Sequence, residues 1–136
     1  MTASAAPPEV GGWRILIVED EPTLAFVLEE TLIDAGFAIA GVAGRLEAAL
    51  AVVETGACDA AILDTNLSGV SAAPIAQALE SRGVPFLVLT GYSRNQLVEA
   101  FSGALHVQKP CRPERLIAAL RSILPADLLD GPAGRT

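Results

Sequence analysis

The chain has 136 residues, enough for one domain with a single sizeable core. Hydrophobic residues make up 51% of it and aromatics only 4%, so that core is aliphatic, built from Leu, Val, Ile and Ala. A formal charge of −7 argues against a nucleic-acid-binding surface, which needs clustered Lys and Arg; it suits solubility, cation recruitment or docking on basic partner surfaces.

Cys58 and Cys111 have neither metal-ligand spacing nor a disulfide framework, so a reducing cytoplasm is the simplest compartment. Residues 1–12 are rich in Ala, Pro and Gly and lack the charged start and apolar run of a signal peptide; they read as a disordered leader. No apolar stretch approaches the roughly 18–20 residues of a membrane span. The expected organisation is a cytoplasmic, soluble domain over 13–125 with a flexible tail over 126–136.

Arg14-Ile15-Leu16-Ile17-Val18 is aliphatic without alternation, as expected of a strand buried on both faces, and it runs into Glu19-Asp20-Glu21. Pro22 suits the first turn of a helix whose apolar face is Leu24, Val27, Leu28, Thr31, Leu32 and Ala35, with Gly36 to stop it. Phe37 to Val42 reads as a second, weaker strand. A second helix carries Leu46, Ala49, Leu50 and Val53 on one face and ends near Gly56.

The third strand opens at Cys58 and runs through Ala60-Ala61-Ile62-Leu63 to Asp64, where turn-forming residues follow at once. Ser71 is the predicted N-cap of a third helix, with Pro74 in its first turn and Gly83 past its end. Val84 to Leu89 is a fourth strand and delivers Thr90-Gly91 to its carboxyl end. Ser93 to Ser102 holds at most one short or irregular helix. Ala104 to Gln108 is a fifth strand leading into Lys109-Pro110, and Pro113 opens a last helix with Leu116, Ala119, Leu120, Ile123 and Leu124 as its stripe, stopped by Pro125. Strands alternating with helices over short loops give an α/β fold: a doubly wound, five-stranded parallel sheet, in strand order 2-1-3-4-5, with helices on both faces.

In such a sheet the strand ends gather at one edge, and the first and third strands flank the switch point where ligands bind. That edge would hold Glu19, Asp20, Asp64, Thr90 and Lys109. Three neighbouring carboxylates repel one another, and a divalent cation is the usual remedy; an all-oxygen set suits Mg²⁺. A carboxylate beside such an ion can act as a nucleophile toward a phosphoryl group, with Thr90 donating a hydrogen bond and Lys109 supplying positive charge. Each part has an ordinary alternative. The acidic triplet could serve the helix dipole, Thr90 a turn, and Lys109 the surface. Their coincidence at consecutive strand ends favours the functional reading.

These residues give the chain its likeness. Val18-Glu19-Asp20-Glu21, Leu63-Asp64 with Gly69 five residues on, Thr90, and Lys109-Pro110 resemble the motifs of receiver domains of two-component response regulators, over nearly all of Arg14 to Leu124. The resemblance implies that Asp64 accepts phosphate from a phosphohistidine of a histidine kinase or a histidine phosphotransfer protein. It implies Mg²⁺ bound by Asp20, Asp64 and the backbone carbonyl of Asn66, with Glu19 acting through water. Thr90 and Lys109 would hold the phosphate, and the Lys109–Pro110 bond is expected to be cis. It also implies signalling by protein–protein interaction or phosphate transfer rather than turnover, and a homodimer through the fourth helix, fifth strand and last helix is one arrangement it suggests.

Receivers usually carry Tyr or Phe three residues before the Lys, as a switch; here that position is His106, read either as a strand-edge side chain in solvent or as a smaller, pH-sensitive swinging ring. The segment from Thr90 to Lys109 is also shorter than is usual. Pro85-Phe86-Leu87-Val88-Leu89-Thr90-Gly91-Tyr92 is similar to the P-F-x-F-A-T-G-Y signature of the stand-alone "FAT GUY" receivers of alphaproteobacteria, differing at Val88 and Leu89. That subgroup also lacks the usual aromatic switch, and Tyr92 could take part of its role.

Three rivals stand beside this reading. A haloacid-dehalogenase-like phosphohydrolase expects a second Asp two residues after the nucleophile, where Asn66 stands. A degenerate receiver acting only as a docking module is disfavoured by the intact Asp20, Asp64, Thr90 and Lys109. A nucleotide-binding flavodoxin-like module lacks its phosphate loop after the first strand.

Overall fold

The computed structural model describes residues 12–91, 104–109 and 111–124, apart from the side chain of Asn66. The expectations for the leader and tail, Tyr92, the short helix over 93–102 and the Lys109–Pro110 bond fall on residues outside these.

The elements, in chain order, are β1 (Arg14–Val18), α1 (Pro22–Asp34), β2 (Ala38–Ala43), α2 (Leu46–Thr55), β3 (Ala60–Asp64), β4 (Asn66–Leu67), β5 (Val70–Ser71), α3 (Ala73–Ser81), β6 (Phe86–Thr90), β7 (Leu105–Gln108) and α4 (Pro113–Ile123). The main sheet is parallel, in the order β2-β1-β3-β6-β7. This is the expected doubly wound arrangement, with the first, second, third, fourth and fifth predicted strands at β1, β2, β3, β6 and β7.

Why the central strands read as continuous apolar runs is plain from their two faces. Ile15 and Ile17 of β1 pack with Leu28, Leu32, Leu116 and Leu120 beneath α1 and α4. Leu16 and Val18 point the other way, into a second core with Val53, Ile75 and Leu79 beneath α2 and α3. Ile15 to Val18 of β1 and Ala60 to Leu63 of β3 are almost wholly removed from water, so alternation has no solvent face to report. At the amino end of the sheet, Asp59 accepts from Arg14 N at 2.8 Å and from its Nε and Nη2 at 3.2 and 3.1 Å, pinning β1 to β3 opposite the site.

The helix boundaries follow local chemistry. Glu21 caps α1, its Oε1 accepting from Leu24 N at 2.7 Å, so the third member of the acidic triplet serves the start of the helix. Gly36, at φ 98°, takes the left-handed conformation that ends α1. The core-facing side of α1 holds Leu28 and Leu32, with Leu24 and Ala35 packed at its margins, as expected; Ala25 joins it, whereas Val27 is exposed along with Phe26 and Ile33. The predicted cap of α3 is one residue out. Ala72 is the N-cap, and Ser71 belongs to β5, its hydroxyl oxygen accepting from Ala73 N at 3.1 Å. Cys58 is buried just before β3, and burial pushes its thiol pKa up.

The antiparallel hairpin of β4 and β5 was not foreseen. Asn66 pairs with Ser71 and Leu67 with Val70, around a two-residue turn in which Ser68 (φ 54°) and Gly69 (φ 90°) both have positive φ. That is the turn type whose twist matches a hairpin, and glycine adopts it freely at the second position. The Ala72 N–H donates to Thr65 O at 3.1 Å and closes the hairpin at its base. Among the described residues no helix is long and apolar enough to cross a membrane.

Candidate acidic site at the sheet edge

Register assembles the site. Val18 of β1 pairs with Leu63 of β3, which brings Glu19, the next residue, abreast of Asp64. Asp64 pairs with Leu89, so Thr90 closes β6 one step further out, and Thr90 pairs with Gln108. The Lys109 N–H then donates to Thr90 O at 2.9 Å, fixing where the lysine leaves the sheet. On the other side, Glu19 N donates to Ala43 O at 2.9 Å. Backbone bonds thus hold the loop after β1 and the loop after β7 at one edge.

One carboxylate oxygen from each of Glu19, Asp20 and Asp64 lies within 4.8 Å of the others. Glu19 and Asp64 are buried, Asp20 half-buried. Lys109 Nζ stands 3.3 Å from Glu19 Oε1 and 3.4 Å from Asp64 Oδ2, and Glu19 Oε2 accepts from Glu21 N at 3.1 Å. Asp20 is served separately: its Oδ2 accepts from the Ser68 hydroxyl at 2.5 Å.

These surroundings push neighbouring carboxyls in opposite directions. Burial, and then the charge of Asp64, hold the Glu19 pKa above the usual glutamate value, while the Glu21 amide and Lys109 pull part of the way back. The Ser68 hydroxyl lowers the pKa of Asp20. Opposed environments on adjacent acids are a mark of functional sites. One ammonium among three carboxylates leaves the edge short of positive charge. The donors of this cluster are all carboxylate oxygens, close enough together to share one ion, and they fit a hard divalent cation such as Mg²⁺ rather than zinc.

Thr90 is buried at the end of β6, and Asn66 opens β4 two residues beyond Asp64. His106 pairs with Val88, two residues before Thr90, so it shares the sheet face of Thr90 on the neighbouring strand. It is half-buried with Nε2 closed off from water, which corrects the picture of a ring standing in solvent. The residue that sequence reasoning missed is Ser68. Ser68-Gly69 is a turn signal, but the two-residue segments beside it are too short to mark a hairpin.

Residues 15–121 match the family model of the response regulator receiver domain. The chain belongs to the response regulator receiver family. That family is a signalling domain of two-component systems, not a class of turnover enzyme. Among solved structures, this receiver is similar to SdrG from Sphingomonas melonis Fr1, with 38% identity, a TM-score of 0.73, and coverage of 84% of this chain and 97% of that one. The BeF3-activated conformation of SdrG from Pseudomonas melonis Fr1 aligns with 39% identity and a TM-score of 0.72, covering 85% of this chain and 98% of that one. Among curated proteins, the transcriptional regulatory protein TcrA of Mycobacterium tuberculosis is 35% identical over 119 residues, or 84% of this chain and 47% of TcrA. The chain spans about half the length of the curated relatives it matches.

Proposed function

We propose that this receiver acts as a stand-alone response regulator, taking a phosphoryl group on Asp64 from the phosphohistidine of a histidine kinase or histidine phosphotransfer protein. The observation that carries the reading is the meeting of Glu19, Asp20 and Asp64 within 4.8 Å, with Lys109 bridging Glu19 and Asp64 at 3.3 and 3.4 Å. Asp20, Asp64 and the Asn66 carbonyl would hold Mg²⁺ directly and Glu19 would do so through water. The bound ion supplies positive charge against the phosphoryl oxygens.

In the transfer, an Asp64 carboxylate oxygen attacks phosphorus, the P–N bond to the donor imidazole breaks, and its electron pair returns to the ring nitrogen. Lys109 exchanges its contact with Asp64 for a phosphoryl oxygen, and the Thr90 hydroxyl donates to another. Movement of Thr90 makes room on its sheet face, and His106, on that same face, turns with it as a small counterpart of the usual aromatic switch; Tyr92 shares this role.

Phe26, 61% exposed, and Val27, 46% exposed, lie in the first two turns of α1, next to the acidic loop. Apolar side chains exposed beside a reactive edge support a protein partner there. Leu105, exposed on edge strand β7, is an apolar residue of the face through which a homodimer would form. The nearly full-length likeness to SdrG supports a stand-alone role in which the signal passes by binding, by phosphate return or by dissipation as a sink. Incubation with acetyl phosphate and Mg²⁺, followed by mass spectrometric mapping, tests the site: the phosphoryl group is expected on Asp64, and its appearance on another residue would overturn the assignment.

A further inference from the structure

Each carboxylate of the acidic edge has a donor, but the donors differ in kind. Lys109 serves Glu19 and Asp64. The strongest donor on Asp20 is the Ser68 hydroxyl, which reaches it across 48 residues of chain from the tip of the β4–β5 hairpin and outweighs the backbone N–H groups that also serve this carboxylate. Ser68 is held there by an unusual backbone. It is the single non-glycine with positive φ among the described residues, at 54°, a left-handed conformation that a residue with a Cβ adopts only at a steric cost.

A hydroxyl whose oxygen lies 2.5 Å from a carboxylate oxygen places its proton on a lone pair of that oxygen and draws charge from it. A divalent cation needs that same charge density. From this geometry we infer that Ser68 is a cation surrogate: it latches the hairpin tip onto Asp20 while the edge is free of metal, and it competes with the metal for that carboxylate. The inference rests on the proposed metal-dependent reading of the edge and adds a regulatory element to it. Ser68 is a positioning residue. It sets how readily Asp20 becomes available, and it couples occupation of the edge to release of the hairpin.

Competition and simple support have opposite consequences, and this makes the idea testable. If Ser68 only held Asp20 in place, its removal would weaken cation binding. If it competes, removal tightens binding. Ser68→Gly removes the hydroxyl and accommodates the left-handed turn without strain; Ser68→Ala removes the hydroxyl and retains the Cβ. Mn²⁺ affinity, read by the paramagnetic resonance of the free ion on the full chain, should rise about tenfold in both variants, the size expected for loss of one competing hydrogen bond. Unchanged or weaker binding in the Gly variant would overturn the competition. Asp20→Asn separates this from the reading beneath it: loss of Mn²⁺ binding there, with no tightening at Ser68, sinks the latch alone. Native affinity in Asp20→Asn sinks the metal site itself.

Discussion

Lys109 Nζ lies 3.3 Å from Oε1 of Glu19, an ion pair that spans 90 residues of chain and ties the loop after the last strand to the loop after the first. Glu19 is buried while the lysine is about a third exposed, so the two partners do not lose equally when the pair is broken. Lys109→Met strands a buried carboxylate. It is expected to lower the free energy of unfolding by about 1–3 kcal/mol, seen as an earlier denaturant midpoint with an unchanged slope. A midpoint equal to that of the native chain would mean that the contact contributes nothing to the fold.

Glu19 has the opposite character. Burial and Asp64 raise its pKa, so the folded state grips this proton more tightly than the unfolded chain does. The resulting stabilisation is complete below the ordinary glutamate value of 4.5 and is lost as pH rises through Glu19's own, higher value. At neutral pH an ionised Glu19 therefore costs the fold stability in the absence of a cation. Glu19→Gln should raise the metal-free melting temperature at pH 7 by a few degrees, corresponding to about 1 kcal/mol, with the advantage gone by pH 4. A lower melting temperature at pH 7 would contradict this.

Asp20 runs the other way. The Ser68 hydroxyl lowers its pKa, so its contribution is present above the ordinary aspartate value of 3.8 and disappears as pH falls through its own lower value.

Thr90 and His106 share one sheet face on adjacent strands, and this sets a prediction for the switch. With Mg²⁺ and BeF3⁻, a tetrahedral mimic of the phosphoryl group, amide signals over Leu105 to Gln108 should shift in the native chain and in Thr90→Ser, which keeps the hydroxyl. They should stay in place in Thr90→Val. Equal shifts in Thr90→Val would remove the hydroxyl from the relay.

Most of the sheet could be read from the sequence because β1, β3 and β6 are buried on both faces and carry continuous aliphatic runs. The site could be read for a related reason: parallel topology sends every strand's carboxyl end to the same edge, so residues far apart in sequence could be grouped by position alone. The hairpin could not be read in this way. Its strands have two residues each, too few for any periodicity, and they depend on the backbone of Ser68 and Gly69. Val27 lies off the core-facing side because that face of α1 runs through Leu24, Ala25, Leu28, Leu32 and Ala35, while the apolar pattern of the helix is wider than that face. Glu21 serves the helix: it is exposed, it accepts from Leu24 N, and it lies outside the cluster of Glu19, Asp20 and Asp64.

Leu120 tests the packing that holds this edge in place. It is fully buried against α1 and the sheet, and Leu120→Ala should cost about 2–5 kcal/mol in chemical denaturation. A loss below 1 kcal/mol would mean that α4 packs loosely on the sheet.

The most direct test of the central claim is phosphotransfer from purified, radiolabelled histidine kinases to the native chain and to Asp64→Ala, with Mg²⁺ present. Label is expected to pass to the native chain from at least one kinase and never to Asp64→Ala. Label arriving on Asp64→Ala at the native rate would contradict the account.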